Sequence, residues 1–148
     1  MRPGAGSTKR WAGFLGALLL LGLPVGALAS ESGKIAVEFN DLQPVESGCR
    51  AVLVLNNGLG QPLDALALRV VAFDKEEHAA LFLTLDVGAL PVGKTRVVRF
   101  DLGSQLACDG IGRLVLDDVT DCKGGELDRA KCLAAVSLSS RAGAAFDF

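Results

Sequence analysis

The sequence predicts one all-β domain, an antiparallel sandwich of about seven strands with two disulfides. Three observations carry that expectation. Apolar residues recur with a period of two in short runs, Gly, Pro, Asn and Asp punctuate those runs at regular intervals, and all four cysteines lie behind an export signal. Half of the 148 residues are apolar and the mean hydropathy is +0.39, which is too apolar for intrinsic disorder.

The first 29 residues have the three parts of a cleavable signal. Arg2, Lys9 and Arg10 form a positive start, residues 11–26 an apolar run centred on Leu18 to Leu21, and Ala27-Leu28-Ala29 an A-x-A cleavage site. Pro24 and the glycines in and around the run weaken a permanent membrane helix, so the membrane is met only through this segment before cleavage. Lys9 stands where a twin-arginine signal has its first arginine, which favours the general export route. Residues 30–148 are then the single folded domain. Of the chain's 15 basic residues three are removed with the signal, leaving 12 against 17 acidic ones, a net charge of −5. Without a basic stripe, nucleic acid is excluded as a partner.

The strands follow in order. Ile35, Val37 and Phe39 alternate with Ala36, Glu38 and Asn40, the pattern of a half-buried strand. Residues 49–55 are apolar on both faces apart from Arg50, which suits a central strand, and Asn57-Gly58 with Gly60 and Pro62 ends it. Leu66, Leu68, Val70 and Ala72 share one face of a third strand, with Arg69, Val71 and Phe73 on the other. The charged residues 74–78 make a turn into a fourth, where Leu81, Leu83, Leu85 and Val87 oppose Phe82, Thr84 and Asp86. Residues 94–101 and 113–119 are the fifth and sixth strands. The seventh, 134–138, competes with a short helix over 127–135. With no Tyr anywhere and Trp11 in the signal, the core can draw its aromatics only from Phe39, Phe73, Phe82, Phe100, Phe146 and Phe148.

Cys49, Cys108, Cys122 and Cys132 form an even set in an exported domain and read as two disulfides, with three connectivities available. The polar, Gly-containing stretch between Cys122 and Cys132 suits a short closed loop, and elimination leaves Cys49 with Cys108. Spacings of 59, 14 and 10 residues offer no thiolate metal site. Cys49 opens the second strand and Cys108 precedes the sixth. In an immunoglobulin-like topology these strands run the same way in facing sheets, so the two starts meet and the fold is expected to be of that kind.

Residues 49–57 (Cys-Arg-Ala-Val-Leu-Val-Leu-Asn-Asn), 66–74 (Leu-Ala-Leu-Arg-Val-Val-Ala-Phe-Asp) and 106–113 (Leu-Ala-Cys-Asp-Gly-Ile-Gly-Arg) carry a resemblance. From Ile35 onward the chain resembles small exported immunoglobulin-like domains of proteobacteria. The resemblance implies a fold and a periplasmic address, and no catalytic residues to carry over.

Residues 88–95 (Gly-Ala-Leu-Pro-Val-Gly-Lys-Thr) match the phosphate-loop pattern G-x-x-x-x-G-K-[ST] in full. That motif works only when a helix follows and its N-terminal amides converge on phosphate, whereas Thr95-Arg96-Val97-Val98-Arg99-Phe100 reads as a strand. His78, the only histidine, sits in the charged turn with Lys75, Glu76 and Glu77, so Ser137, Ser139 and Ser140 have no base to activate them. Asp117, Asp118 and Asp121, with Asp109 nearby, are candidate oxygen ligands for a divalent cation, although their spacing fits no established loop. Arg69, Arg96 and Arg99 read as solvent-face or edge charges.

The expected function is therefore a non-catalytic periplasmic or secreted module without cofactor. It would bind a protein through a sheet face, an edge strand or the loop from Cys122 to Cys132. The alternative is a small-ligand or divalent-metal-binding protein using the acidic residues. With cleavage after Ala29, mass spectrometry of exported protein is expected to find Ser30 as the N-terminus; intact Met1 peptides in a membrane fraction would contradict it.

Overall fold

A computed structural model describes residues 32–148 together with Met1 and Gly4, so the expected signal and its cleavage point at Ala29 lie outside the described residues. Eight strands are found among the described residues. They are β1 (Ile35–Val45), β2 (Gly48–Asn57), β3 (Ala65–Asp74), β4 (Ala79–Asp86), β5 (Thr95–Gly103), β6 (Ile111–Lys123), β7 (Val136–Ser140) and β8 (Ala145–Asp147). A single-turn 3-10 helix at Cys108–Gly110 precedes β6, and the helix α1 (Arg129–Ala135) precedes β7.

The strands form two four-stranded sheets, ordered β5-β2-β1-β7 and β4-β3-β6-β8. Their inner faces share one core, with Ile35, Phe39, Leu53 and Leu55 contributed by the first sheet and Leu66, Leu68, Leu114 and Leu116 by the second. The all-β sandwich with two disulfides is as the sequence predicts. Two features depart from a simple antiparallel arrangement: β7 pairs in parallel with β1, and β8, an unanticipated strand, pairs in parallel with β6. Between them residues 141–144 carry the chain from one sheet to the other, closing that flank. Phe146 on β8 then meets Phe39 on β1 edge to face, with ring centroids 6.2 Å apart.

β6 is longer than its alternation indicates. Ala67 pairs with Asp121 but Leu68 with Val119, and Arg69 with Asp118 but Val70 with Leu116, so Thr120 and Asp117 are extra residues on β6. From Leu114 onward the buried positions accordingly fall at Leu114, Leu116, Val119 and Cys122, a spacing of two, then three, then three. The contest after Cys122 resolves as a helix followed by a strand. Asp128 caps α1 by accepting a 2.8 Å hydrogen bond from the Lys131 amide, and Cys132 is buried at its centre.

Cys49 bonds Cys108 and Cys122 bonds Cys132, with Cα atoms 5.0 and 6.5 Å apart. The first bond joins the two sheets where β2 and β6 begin. Close backbone approach at the same end requires glycine twice. A Cβ on Gly48, whose φ is +120°, would lie 2.0 Å from the Gly103 carbonyl oxygen, and one on Gly112 would lie 2.4 Å from that of Asp74.

Non-reducing peptide mapping should recover Cys49 with Cys108 and Cys122 with Cys132. Loop-closure entropy predicts that replacing the first pair by alanine costs about 4 kcal/mol and the second about 3 kcal/mol. A Cys49–Cys122 peptide, or a larger loss for the local pair in urea unfolding, would contradict this ordering.

Candidate functional site

At the end of the sandwich opposite the Cys49–Cys108 bond, Asn57 is fully buried and organises two loops, β2–β3 and β4–β5. Its amide nitrogen donates to the carbonyls of Leu90 (2.8 Å) and Gln61 (3.1 Å), and its amide oxygen accepts from the Leu59 N–H (2.9 Å). Its main chain accepts from Gly93 N–H (2.7 Å) and donates to the Lys94 carbonyl (3.3 Å). This explains what residues 88–95 do. The Gly88, Leu90, Gly93 and Lys94 amides donate to the carbonyls of Leu66, Leu63, Asn57 and Pro91 respectively, and Thr95 begins β5 with no helix in between. Amides committed to backbone carbonyls do not converge on a phosphate.

The acidic residues are similarly engaged. On the outer face of the second sheet Arg69 pairs with Asp117 and reaches Asp118 at 3.6 Å. Arg129 from α1 clamps the same Asp118 at 2.6 Å while donating to the Val119 carbonyl at 2.8 Å. Asp121 faces Lys123 at 3.6 Å, and Asp109 sits before β6, at the other end of the domain from Asp121. Among the described residues no three His, Cys, Asp or Glu side chains are grouped so as to hold a metal ion. The four carboxylates proposed from the sequence are thus not brought together, because they are spread from the turn before β6 to its far end and arginines occupy two of them.

His78 is exposed in the β3–β4 turn with Nδ1 3.4 Å from Asp74. Asp74 organises that turn by accepting from the main-chain N–H groups of Glu76 and His78 at 3.0 and 2.9 Å. The His78 amide is the main cause that holds the Asp74 carboxyl below its ordinary value, against an opposing effect of desolvation. Ser140 spends its hydroxyl on the β7–β8 crossing, donating to the Ala144 carbonyl, so it too is structural. On the first sheet Arg50 donates to Asp101 at 2.6 Å, which raises the guanidinium pKa and lowers that of the carboxyl. Arg96 turns back to the Ala89 carbonyl at 2.8 Å.

What remains is a surface. On the outer face of the second sheet, register places Phe82 beside Val71, Val71 beside Val115 and Val115 beside Asp147. Two ionic groups border this apolar row. On one side Arg69 bonds its aspartates. On the other Arg113 lies 4.6 Å above the Phe73 ring and bonds Glu77 at 2.8 Å and Asp147 at 3.3 Å. Val71 is buried under this border, but Phe82, on β4, is 72% exposed.

β4 is also an edge, since among the described residues its strand neighbour is β3 alone. The other three edges are protected. β7 and β8 are five and three residues long, and β5 carries Arg96, Arg99 and Asp101. β4 runs for eight residues, Ala-Ala-Leu-Phe-Leu-Thr-Leu-Asp, with its one charge at the end. Alternation alone shows Phe82 pointing outward; that its strand is an edge depends on sheet order, which alternation does not carry.

No protein-family model, curated protein or solved structure matches this chain. The site is therefore defined by its own geometry.

Lys94→Ala should change unfolding free energy by no more than about 0.5 kcal/mol, and ATP should not raise the Tm of either protein. An ATP-dependent stabilisation lost in the variant would restore the phosphate-loop reading.

Proposed function

We propose that this chain is an exported, non-catalytic module that binds a protein partner along the β4 edge and the face around Phe82. The observation that carries the reading is the contrast between β4 and the other edges: a long, nearly uncharged strand with an exposed aromatic is where main-chain hydrogen bonding can be extended by another strand. Aromatic side chains anchor such contacts because they bury a large area at small entropic cost.

Export is supported by the charged, apolar and small-residue parts of the first 29 residues and by two disulfides, which persist in oxidising compartments. Among the described residues no helix is long and apolar enough to cross a membrane. The periplasmic address and the immunoglobulin-like designation rest on the sequence resemblance together with the bridged starts of β2 and β6.

A photo-crosslinking residue at position 82 in cells should give one dominant adduct, while the same residue at Arg99, on the charged edge, should give none. Equal labelling at both positions, or no adduct at 82, would remove the basis for the proposal.

A further inference from the structure

The partner that best fits the open edge is a second copy of the same strand. We infer that two chains associate through antiparallel β4–β4 pairing about a two-fold axis at Leu83, joining their second sheets into one continuous eight-stranded sheet. This inference rests on the protein-binding reading above and names its occupant.

Directly opposed residues of an antiparallel pair lie on the same face of a sheet, so a two-fold relating two identical strands must pass through a residue position. The regular part of β4 begins at Leu81, because Ala72 pairs with Leu81 and Phe73 with Ala79, leaving Ala80 as a bulge. Centred on Leu83, the axis sets Leu81 against Leu85 of the second copy, Phe82 against Thr84 and Leu83 against itself. Each match is physically favourable. Leu81 and Leu85 are core residues, so the inner layer continues across the junction. Leu83 belongs to the same face but is only half-buried at the edge, and its own copy would complete its cover.

On the outer face the large Phe82 meets the small Thr84 twice, bringing the two rings into diagonal proximity. Asp86, the strand's one charge, falls opposite Ala80 rather than opposite the other Asp86, so no like charges face across the junction. β5 is the less suitable edge, since Arg96, Arg99 and Asp101 place three charges along it where β4 has one at its end.

The mature, oxidised chain should sediment with twice the monomer mass in the micromolar range. Leu83→Cys should form an intermolecular bond between the two copies of position 83, identified by non-reducing peptide mapping and reversed by reductant. Arg99→Cys should not. Phe82→Lys, an exposed substitution that leaves the core intact, should return the chain to a monomer with an unchanged circular dichroism spectrum. A native chain that sediments as a monomer overturns the inference, as does a dimer that fails to crosslink through position 83. If the monomer nevertheless gives a crosslink from position 82 to a different protein, self-pairing fails while the protein-binding reading stands; a monomer with no adduct at 82 removes both.

Discussion

The Cys49–Cys108 bond joins β2 and β6 where both begin, and these strands are the inner members of opposite sheets. Fixing their starts within 5.0 Å, Cα to Cα, sets the direction of each sheet relative to the other. β1 and β5 flank β2, while β3 and β8 flank β6, so much of the remaining hydrogen bonding inherits its position from this junction. At the opposite end a single buried amide, Asn57, performs the corresponding task without a covalent bond. Removing that amide would take the side-chain donor from the Gln61 carbonyl and the acceptor from the Leu59 N–H, while the Leu90 carbonyl would keep the Leu63 N–H at 3.0 Å; each buried group left unpaired costs about 1–3 kcal/mol.

Strand existence was legible wherever burial followed a period of two. β3 is the clearest case: Leu66, Leu68, Val70 and Ala72 all line the core, as their spacing indicates. β6 was readable only to Val119, because Asp117 and Thr120 are extra residues that shift the buried positions out of phase and hide Cys122 from the alternation. β8 was not readable, since three residues carry no period; it exists because Phe146 fills the space beside Phe39. The parallel pairings are likewise properties of where the chain returns, which local pattern does not encode.

The candidate site shows the same division. The outward direction of Phe82 follows from alternation, and so does the β-strand that disqualifies Lys94 and Thr95 as a phosphate loop. The fate of the aspartates does not. Asp117 and Asp118 are adjacent in sequence, as a cation site would allow, but Arg69 from β3 and Arg129 from α1 reach them from sequence positions far enough away to escape any local motif. Glu38 makes a related point on the first sheet. It is a nearly buried carboxylate in a position that alternation assigned to solvent, and it is covered by Arg141 at 3.1 Å and by Asn40 at 2.6 Å. Its burial is created by the crossing between β7 and β8, the least legible part of the chain.

The two disulfides follow one another along the chain without overlapping: Cys49 joins the next cysteine, Cys108, and Cys122 joins the next, Cys132. In a chain delivered N-terminus first to an oxidant, as the proposed export would do, coupling each thiol to the next one available generates the native pairs directly. Shuffling by a disulfide isomerase is then unnecessary. In that order β6 is pinned to the first sheet before the Cys122–Cys132 loop is delivered, so covalent assembly runs from the N-terminal to the C-terminal part of the domain.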